Sequence, residues 1–373
     1  MSNPFAGSSS KPGFGKIILS VLPPDKPVLE TVSYQYPLKL IAPSPIIVSP
    51  RHSRSSGSTL EDKEAGDHSS PDNQQRSYLV HTVYLLTYGG GLVAGDAINL
   101  TTTLARSTRL ILLTQGSTKI FKSPDPSVIS KQFMNATLLP GSALCYLPDP
   151  VQPFGKSAFE QTQVYGLVDW RGQNSGGEPS LCVLDWVNQG RSALGEKWDF
   201  WRYGSKNEVY LLPNASEERQ SEARKKRLLL RDALLLHPSA TLPSLFSERM
   251  DNLSIFGTLI LCGPVFTALG DHFLAEFEAL PRIGGRNWDS DAVSAPRTTP
   301  LTPEEQAEIR KLKRQKQEKV DGLLWTAARV RNFVLVKFGA KETEGAKRWL
   351  SDMIKEEGSV EREFGERATL CLR

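Results

Sequence analysis

From residue 14 to about residue 265, apolar side chains recur at alternate positions in short runs that Pro and Gly interrupt. Ile98, Leu100, Thr102 and Leu104 show the period most clearly, since successive residues of a strand point to opposite faces. The 29 glycines and 25 prolines among 373 residues supply the turns such a fold needs. Helical stepping by three and four first becomes clear at Phe266, Leu269, Phe273, Phe277 and Leu280. Helices are therefore missing between the early strands, which argues against a doubly wound α/β fold and predicts a mainly β chain with a few α-helices, mostly in its C-terminal third.

Two later helices carry signatures of their own. Thr302, Pro303 and Glu305 supply an N-cap, a first-position proline and the acidic residue three places on that completes a capping box. Apart from Ile309 and Leu312 this helix is polar all round, so it is expected to be exposed or only partly stable. The last helix sets Ala346, Trp349, Leu350 and Met353 on one face and stops before Gly358. "STRLILLTQGSTKIFKS" reads as a strand pair about a turn at Gln115 and Gly116.

Polar, Ser- and Gly-rich or charged stretches break this pattern. The reading is one β-rich domain over residues 1–355, with inserts expected to be disordered at 50–76, 171–180, 214–227 and 282–321, and a C-terminal tail at 356–373. No repeat of fixed period is evident.

Charge and cysteine usage narrow the function. The 45 basic and 41 acidic side chains leave a net charge of +4, too weak a field to mark a nucleic-acid binder; the basic runs at Arg224–Arg227 and Arg310–Lys316 read as solvated surface. Cys145, Cys182, Cys262 and Cys371 are widely spaced, and three lie in apolar runs, so buried free thiols in a reducing compartment are expected. With no signal-peptide core and no apolar run of roughly 18 residues, a soluble cytoplasmic protein is expected, and the sequons at Asn99, Asn135, Asn214 and Asn252 carry no weight there.

The stretch "YGGGLVAGD" fits the dinucleotide fingerprint at Gly89, Gly91 and Ala94. That fingerprint works when a helix follows and offers its N-terminal N–H groups to a pyrophosphate. Strand alternation follows here instead, and Asp96 stands where a phosphate loop needs Lys. A nucleotide-binding enzyme using the Gly89–Gly95 loop is thus the weaker alternative; the better reading is a glycine-rich strand corner. There is no nucleophile elbow and no zinc-protease motif. Of the five histidines, His52 and His68 fall in the first polar insert, His81 and His237 sit in apolar runs as packed imidazoles, and His272 is expected at the surface of its helix.

Four stretches in order, "YGGGLVAGD" (Tyr88–Asp96), "LTQGSTKIFKS" (Leu113–Ser123), "YLPDPVQPF" (Tyr146–Phe154) and "GRSALGE" (Gly190–Glu196), together resemble the urease accessory protein family UreD, also called UreH. The resemblance spans roughly residues 78–355, with Ala94 standing where the family more often has Gly. It implies a β-helix-like scaffold and a non-enzymatic role in urease maturation. The implied partners are apo-urease, a helical accessory protein of the UreF kind and a GTPase of the UreG kind. The implied cargo is nickel, delivered and not retained.

Cargo in transit needs weak, separated ligands, because a tight site would not release it. In the matching stretches the candidates are Asp96, Asp149 and Glu196, with His81 and Cys145 weaker; the plainer reading of each, and the favoured one, is a turn-capping carboxylate or a packed core residue. Residues expected to shape the partner surface are Gly89, Gly90, Gly91, Gly95, Gln115, Gly116, Lys119, Pro148, Pro150, Gly190, Arg191 and Gly195.

Overall fold

The computed structural model describes residues 11–49, 78–171, 177–214, 226–237, 248–280 and 302–373. A hairpin of β1 (Phe14–Leu22) and β2 (Lys26–Tyr34) opens the chain, followed by β3 (Leu38–Ile41) and β4 (Ile46–Val48). From β5 (Tyr78–Thr87) the backbone winds as a solenoid. The first coil runs through β6 (Gly91–Leu92) and β7 (Ala97–Leu104), and the second through β8 (Arg109–Leu113), β9 (Lys119–Ile120) and β10 (Ser130–Leu138). The third comprises β11 (Ala143–Tyr146), β12 (Gln152–Pro153) and β13 (Ala158–Val168). A fourth joins β14 (Ser180–Asn188) to β15 (Arg202–Leu212) through the "GRSALGE" loop.

Equivalent strands of successive coils lie parallel, so the coils build three sheets. Val80, Arg109, Ala143 and Ser180 stand side by side across the coils, at separations of 29, 34 and 37 residues. Unequal coils hide the repeat from a search for one period.

Antiparallel strands close the stack. β16 (Arg227–Leu236) pairs with β15, and β17 (Ile255–Cys262), β19 (Phe333–Ala340) and β18 (Leu324–Val330) extend the sheet of β14. At the other side β2 caps β1, which itself runs parallel to β7, and β3 and β4 pair with β5. The result is a nine-stranded sheet, a seven-stranded sheet and a corner sheet of three two-residue strands.

The nine-stranded sheet is covered on both faces, which explains why Arg109–Leu113 and Ala143–Tyr146 are buried at every position. Its inner face packs Leu110, Tyr146 and Val183 against Leu100, Tyr165 and Val209 of the seven-stranded sheet. Its outer face packs Ile111, Cys145 and Leu259 under α1 (Thr267–Glu278), α3 (Thr343–Glu357) and α4 (Ser359–Phe364). α2 (Pro303–Val320) lies alongside. Among the described residues, no helix is long and apolar enough to cross a membrane.

The mainly β architecture and its late helices are as the sequence indicates, and so are the capping box at Thr302 and the left-handed stop at Gly358. Other expectations change. β8 and β9 do not pair with one another: Gln115 and Gly116 turn the chain from the nine-stranded sheet into the corner sheet. Residues 356–373 are no tail, because Phe364, Ala368, Cys371 and Leu372 are buried in the helical layer. The polar inserts fall largely outside the described residues, as do His52 and His68, but Ser180 already belongs to β14 and 303–320 form α2.

That polar helix is held by charge. Arg314, with 6% of its side chain exposed, pairs with Glu276 of α1, Glu318 of its own helix and Glu356 of α3. Lys311 adds a second bond to Glu276 at 3.1 Å, and Arg348 of α3 reaches Asp321 at 3.2 Å. Apolar patterning could not reveal this attachment.

Candidate functional site: a stacked corner and a polar interior

The four motif stretches occupy the same corner of successive coils. Gly91 stands beside Lys119, Lys119 beside Gln152, and the Gln152 amide donates to the Gly190 carbonyl at 3.3 Å. The glycines serve two different needs. Gly89, Gly90, Gly95, Gly116 and Gly195 have φ between +74° and +85°, the left-handed region. Gly91 is extended, but a Cβ there would lie 2.3 Å from the Lys119 carbonyl oxygen. It is glycine because the coils approach closely. Gly190 combines both needs: its φ is +112°, and a Cβ there would lie 2.9 Å from the Pro153 carbonyl oxygen.

Each motif carboxylate has a local task. Asp96 accepts the Val93 N–H at 2.9 Å and closes its own turn. Glu196 grips Arg191, whose Nε donates at 2.9 Å while its guanidinium stacks 3.9 Å from the Phe154 ring centre. Arg191 holds the Glu196 carboxyl below the usual range. Asp149 reaches further: it accepts from the Thr114 hydroxyl (3.1 Å) and Gly116 N–H (3.0 Å) of the preceding coil, and from Lys347 of α3 at 2.9 Å. Pro148 accepts the Trp186 indole N–H at 2.8 Å, and Pro150 is buried beside it. The corner therefore fixes its own shape by bonds between coils.

Behind the corner, between the two large sheets, lies a cavity of about 30 Å³, the room for one water. Thr114, Gln132, Asp149, Gln161, Gln163 and Asp185 line part of it. Asp185 is partly buried in the cavity wall, and desolvation raises its pKa above the ordinary carboxylate value, opposed by hydrogen bonds from Ser205, Asn207 and Gln161. Gln161 donates to it at 2.6 Å and Asn207 at 2.5 Å, with Ser205 also bonded. Among the described residues the Asn207 carbonyl oxygen is buried without a partner. A surface depression of about 480 Å³ shares Thr114 and Asp149 with this cavity, so Asp149 stands between outside and inside.

The candidates thus separate. Asp149 alone of the five lines the cavity. Asp96 and Glu196 serve their turns. His81 lies in the core between the sheets, its Nε2 3.2 Å from the Pro27 carbonyl and its pKa lowered by burial. Cys145 faces the helical layer beside Cys182. Two other histidines depart from expectation: His237 is exposed, while His272 is half-buried with its pKa lowered by burial. Among the described residues no group of three or more His, Cys, Asp or Glu could hold a metal ion.

Sequence reasoning misses Asp185 and its donors, yet β13 carries a signal. Gln161 and Gln163 fall in phase with Phe159, Tyr165 and Leu167, so two amides occupy the strand's buried face. The nucleotide reading loses its structural basis, because the glycine loop leads into strands β6 and β7 and no helix follows.

A solenoid of stacked parallel strands with a bonded corner and a polar pocket inside places the chain among the β-solenoid proteins. Residues 49–370 match the family model of the UreD urease accessory protein, and the chain belongs to that family. A Schizosaccharomyces pombe protein described as urease accessory protein ureD-like is 30% identical over 278 residues, covering 74% of this chain and 82% of its own. Urease accessory protein UreD of Sorangium cellulosum is 34% identical over 52% of this chain and 53% of its own. Urease accessory protein D of Arabidopsis thaliana is 37% identical over a shorter stretch, 35% of this chain and 41% of its own. Family membership supports a role in urease maturation.

Proposed function

We propose that this chain is a non-enzymatic scaffold that joins apo-urease to a helical accessory protein and a GTPase, and that nickel passes through its interior on the way to the urease active site. The observation that carries this reading is the polar pocket: Asp149 and Asp185 line a water-sized space beside the apolar core between the sheets. Burying polar side chains costs free energy that an apolar core would not incur, so their retention calls for a use. Two carboxylates surrounded by amides and hydroxyls give oxygen ligands that hold a divalent ion briefly.

The chain's own residues divide the work. The corner turns, fixed by Arg191–Glu196 and Asp149–Gly116, present a shaped docking surface. Asp149 receives the ion at the surface depression and Asp185 relays it. Nucleotide hydrolysis falls to the GTPase, in keeping with a glycine loop that lacks the following helix. Sites where cargo only passes have no need of a closed ligand cluster.

The test is deletion in the native host, with urease assayed at limiting nickel. Activity should fall and return with the wild-type chain. Asp185→Asn keeps the shape and removes the charge, turning one of the two acceptor oxygens that Gln161, Ser205 and Asn207 use into a donor, and is expected to restore little activity at limiting nickel while still co-purifying with urease. Full urease activity in the deletion strain would end the maturation reading; full rescue by Asp185→Asn would end the transit reading.

A further inference from the structure

Two lysine–aspartate pairs stand at opposite ends of the polar interior. At the corner, Lys347 of α3 bonds to Asp149 at 2.9 Å, with side-chain exposures of 14% and 8%. At the lateral edge of the sandwich, Lys337 of β19 bonds to Asp232 of β16 at 2.5 Å, with exposures of 50% and 13%. Strand register ties the second pair to the pocket. Asp185 stands beside Thr258 and Thr258 beside Lys337 in the nine-stranded sheet. In the facing sheet Gln163 stands beside Asn207 and Asn207 beside Asp232. Polar residues thus continue across the strands from Asp149 through Asp185 and Asn207 to Asp232, with an ammonium group at each terminus.

We propose that Lys347 and Lys337 are the plugs of this passage: each occupies the carboxylate that a divalent cation would take, so that a cation enters or leaves only by displacing a lysine. The proposal rests on the transit reading above and specifies how transit is controlled. A bare passage lined by carboxylates would fill with whatever cation is abundant. A tethered ammonium keeps each carboxylate neutralised until an ion of higher charge arrives at high local concentration, as from a docked donor. Lysine suits this task because its charge is compact and its stem flexible, whereas arginine's fork would clamp a carboxylate with two bonds. Lys337 is half-exposed and can swing into water; Lys347 lines the surface depression, which gives its ammonium a wet place to go. The partnerless Asn207 oxygen beside Asp185 is a ligand atom available between the plugs.

The experiment measures nickel(II) binding to the full chain by equilibrium dialysis and urease activation in the host. Lys337→Gln and Lys347→Gln keep a hydrogen-bond donor but remove the charge. Each should bind nickel at least about fivefold more tightly, the effect of one unit charge at ~4 Å even under the full screening of water. Adding Asp232→Asn to Lys337→Gln, or Asp149→Asn to Lys347→Gln, should cancel the gain. Lys337→Arg and Lys347→Arg keep the charge and the fold, and should weaken binding and slow activation. Should a glutamine variant fail to fold, the arginine pair decides. Unchanged binding in the lysine variants, with Asp185→Asn still impaired in activation, overturns the plugs and leaves the passage. Asp185→Asn that binds and activates as the wild type overturns the passage itself.

Discussion

Gly89 and Gly91 lie two residues apart in one motif, yet substitution should affect them in opposite orders. At Gly91 the obstacle is space. A Cβ would sit 2.3 Å from the Lys119 carbonyl oxygen, 2.8 Å from the Lys119 Cβ and 2.8 Å from Phe121 Cε2. The first two belong to the neighbouring coil's backbone and its first side-chain atom, held by the β6–β9 pairing, so neither can turn away. Overpacking of this kind costs about 1–3 kcal/mol, and the close backbone contact puts Gly91→Ala near the upper end. At Gly89 nothing lies within 4 Å of a Cβ, but φ is +75°. Alanine there costs about 1–2 kcal/mol for its left-handed backbone, partly offset by the smaller entropy of the unfolded chain. Asparagine tolerates that backbone better than alanine but is bulkier. Gly89→Asn should therefore be more stable than Gly89→Ala, and Gly91→Asn less stable than Gly91→Ala. Urea denaturation of the four variants, comparing midpoints at constant slope, reads the order directly. The same order at both positions would refute the distinction between conformation and space.

Arg314→Met should detach α2 by leaving Glu318 without the Arg314 cation and Glu276 with Lys311 alone, a local loss of about 3–5 kcal/mol; amide exchange should accelerate across 303–320 and stay unchanged in β11 and β14. His81 is buried with a lowered pKa, so the unfolded chain binds its proton more readily. Stability from this group is complete above the ordinary value of about 6.5 and is lost as pH falls below it, and His81→Gln should flatten the pH dependence of thermal stability below about pH 6.5. All four cysteines are buried and free, burial pushes the Cys371 thiol up to about 12 and raises Cys182 and Cys262 as well, so an aromatic disulfide reagent at pH 8 should react with none of them until urea is added, then with four.

Local chemistry in the sequence is a good guide to local structure. Alternation in Ala97–Leu104 marks a strand with one face buried, and Thr302 with Glu305 marks a helix start, because both are settled by neighbours a few residues apart. Assembly of the corner depends on longer distances. Gly91, Lys119 and Gln152 become neighbours only when coils of unequal length stack, and no spacing rule links them. Asp149 reads as a turn former between two prolines, yet its acceptors are used by the turn of another coil and by a helix 198 residues away. Asp185 is hard to see for a related reason: its partners come from β13 and β15, and only Gln161 and Gln163 on a buried phase mark the place. α2 reads as loosely held when only its apolar residues are weighed, whereas carboxylates on α1 and α3 attach it.

A stack of parallel strands ends in rows of unused N–H and C=O groups, and one molecule's last coil is a template for another's first. Here the direction of the chain reverses before either end is reached: β2 runs against β1, β16 against β15, and β17 against β14. A parallel coil from a second molecule would find edges of the wrong polarity, with Lys26 and Pro27 at the start of β2 as further obstacles. The antiparallel strands thereby act as terminators of polymer growth, and let a solenoid remain a discrete particle rather than the seed of a fibre.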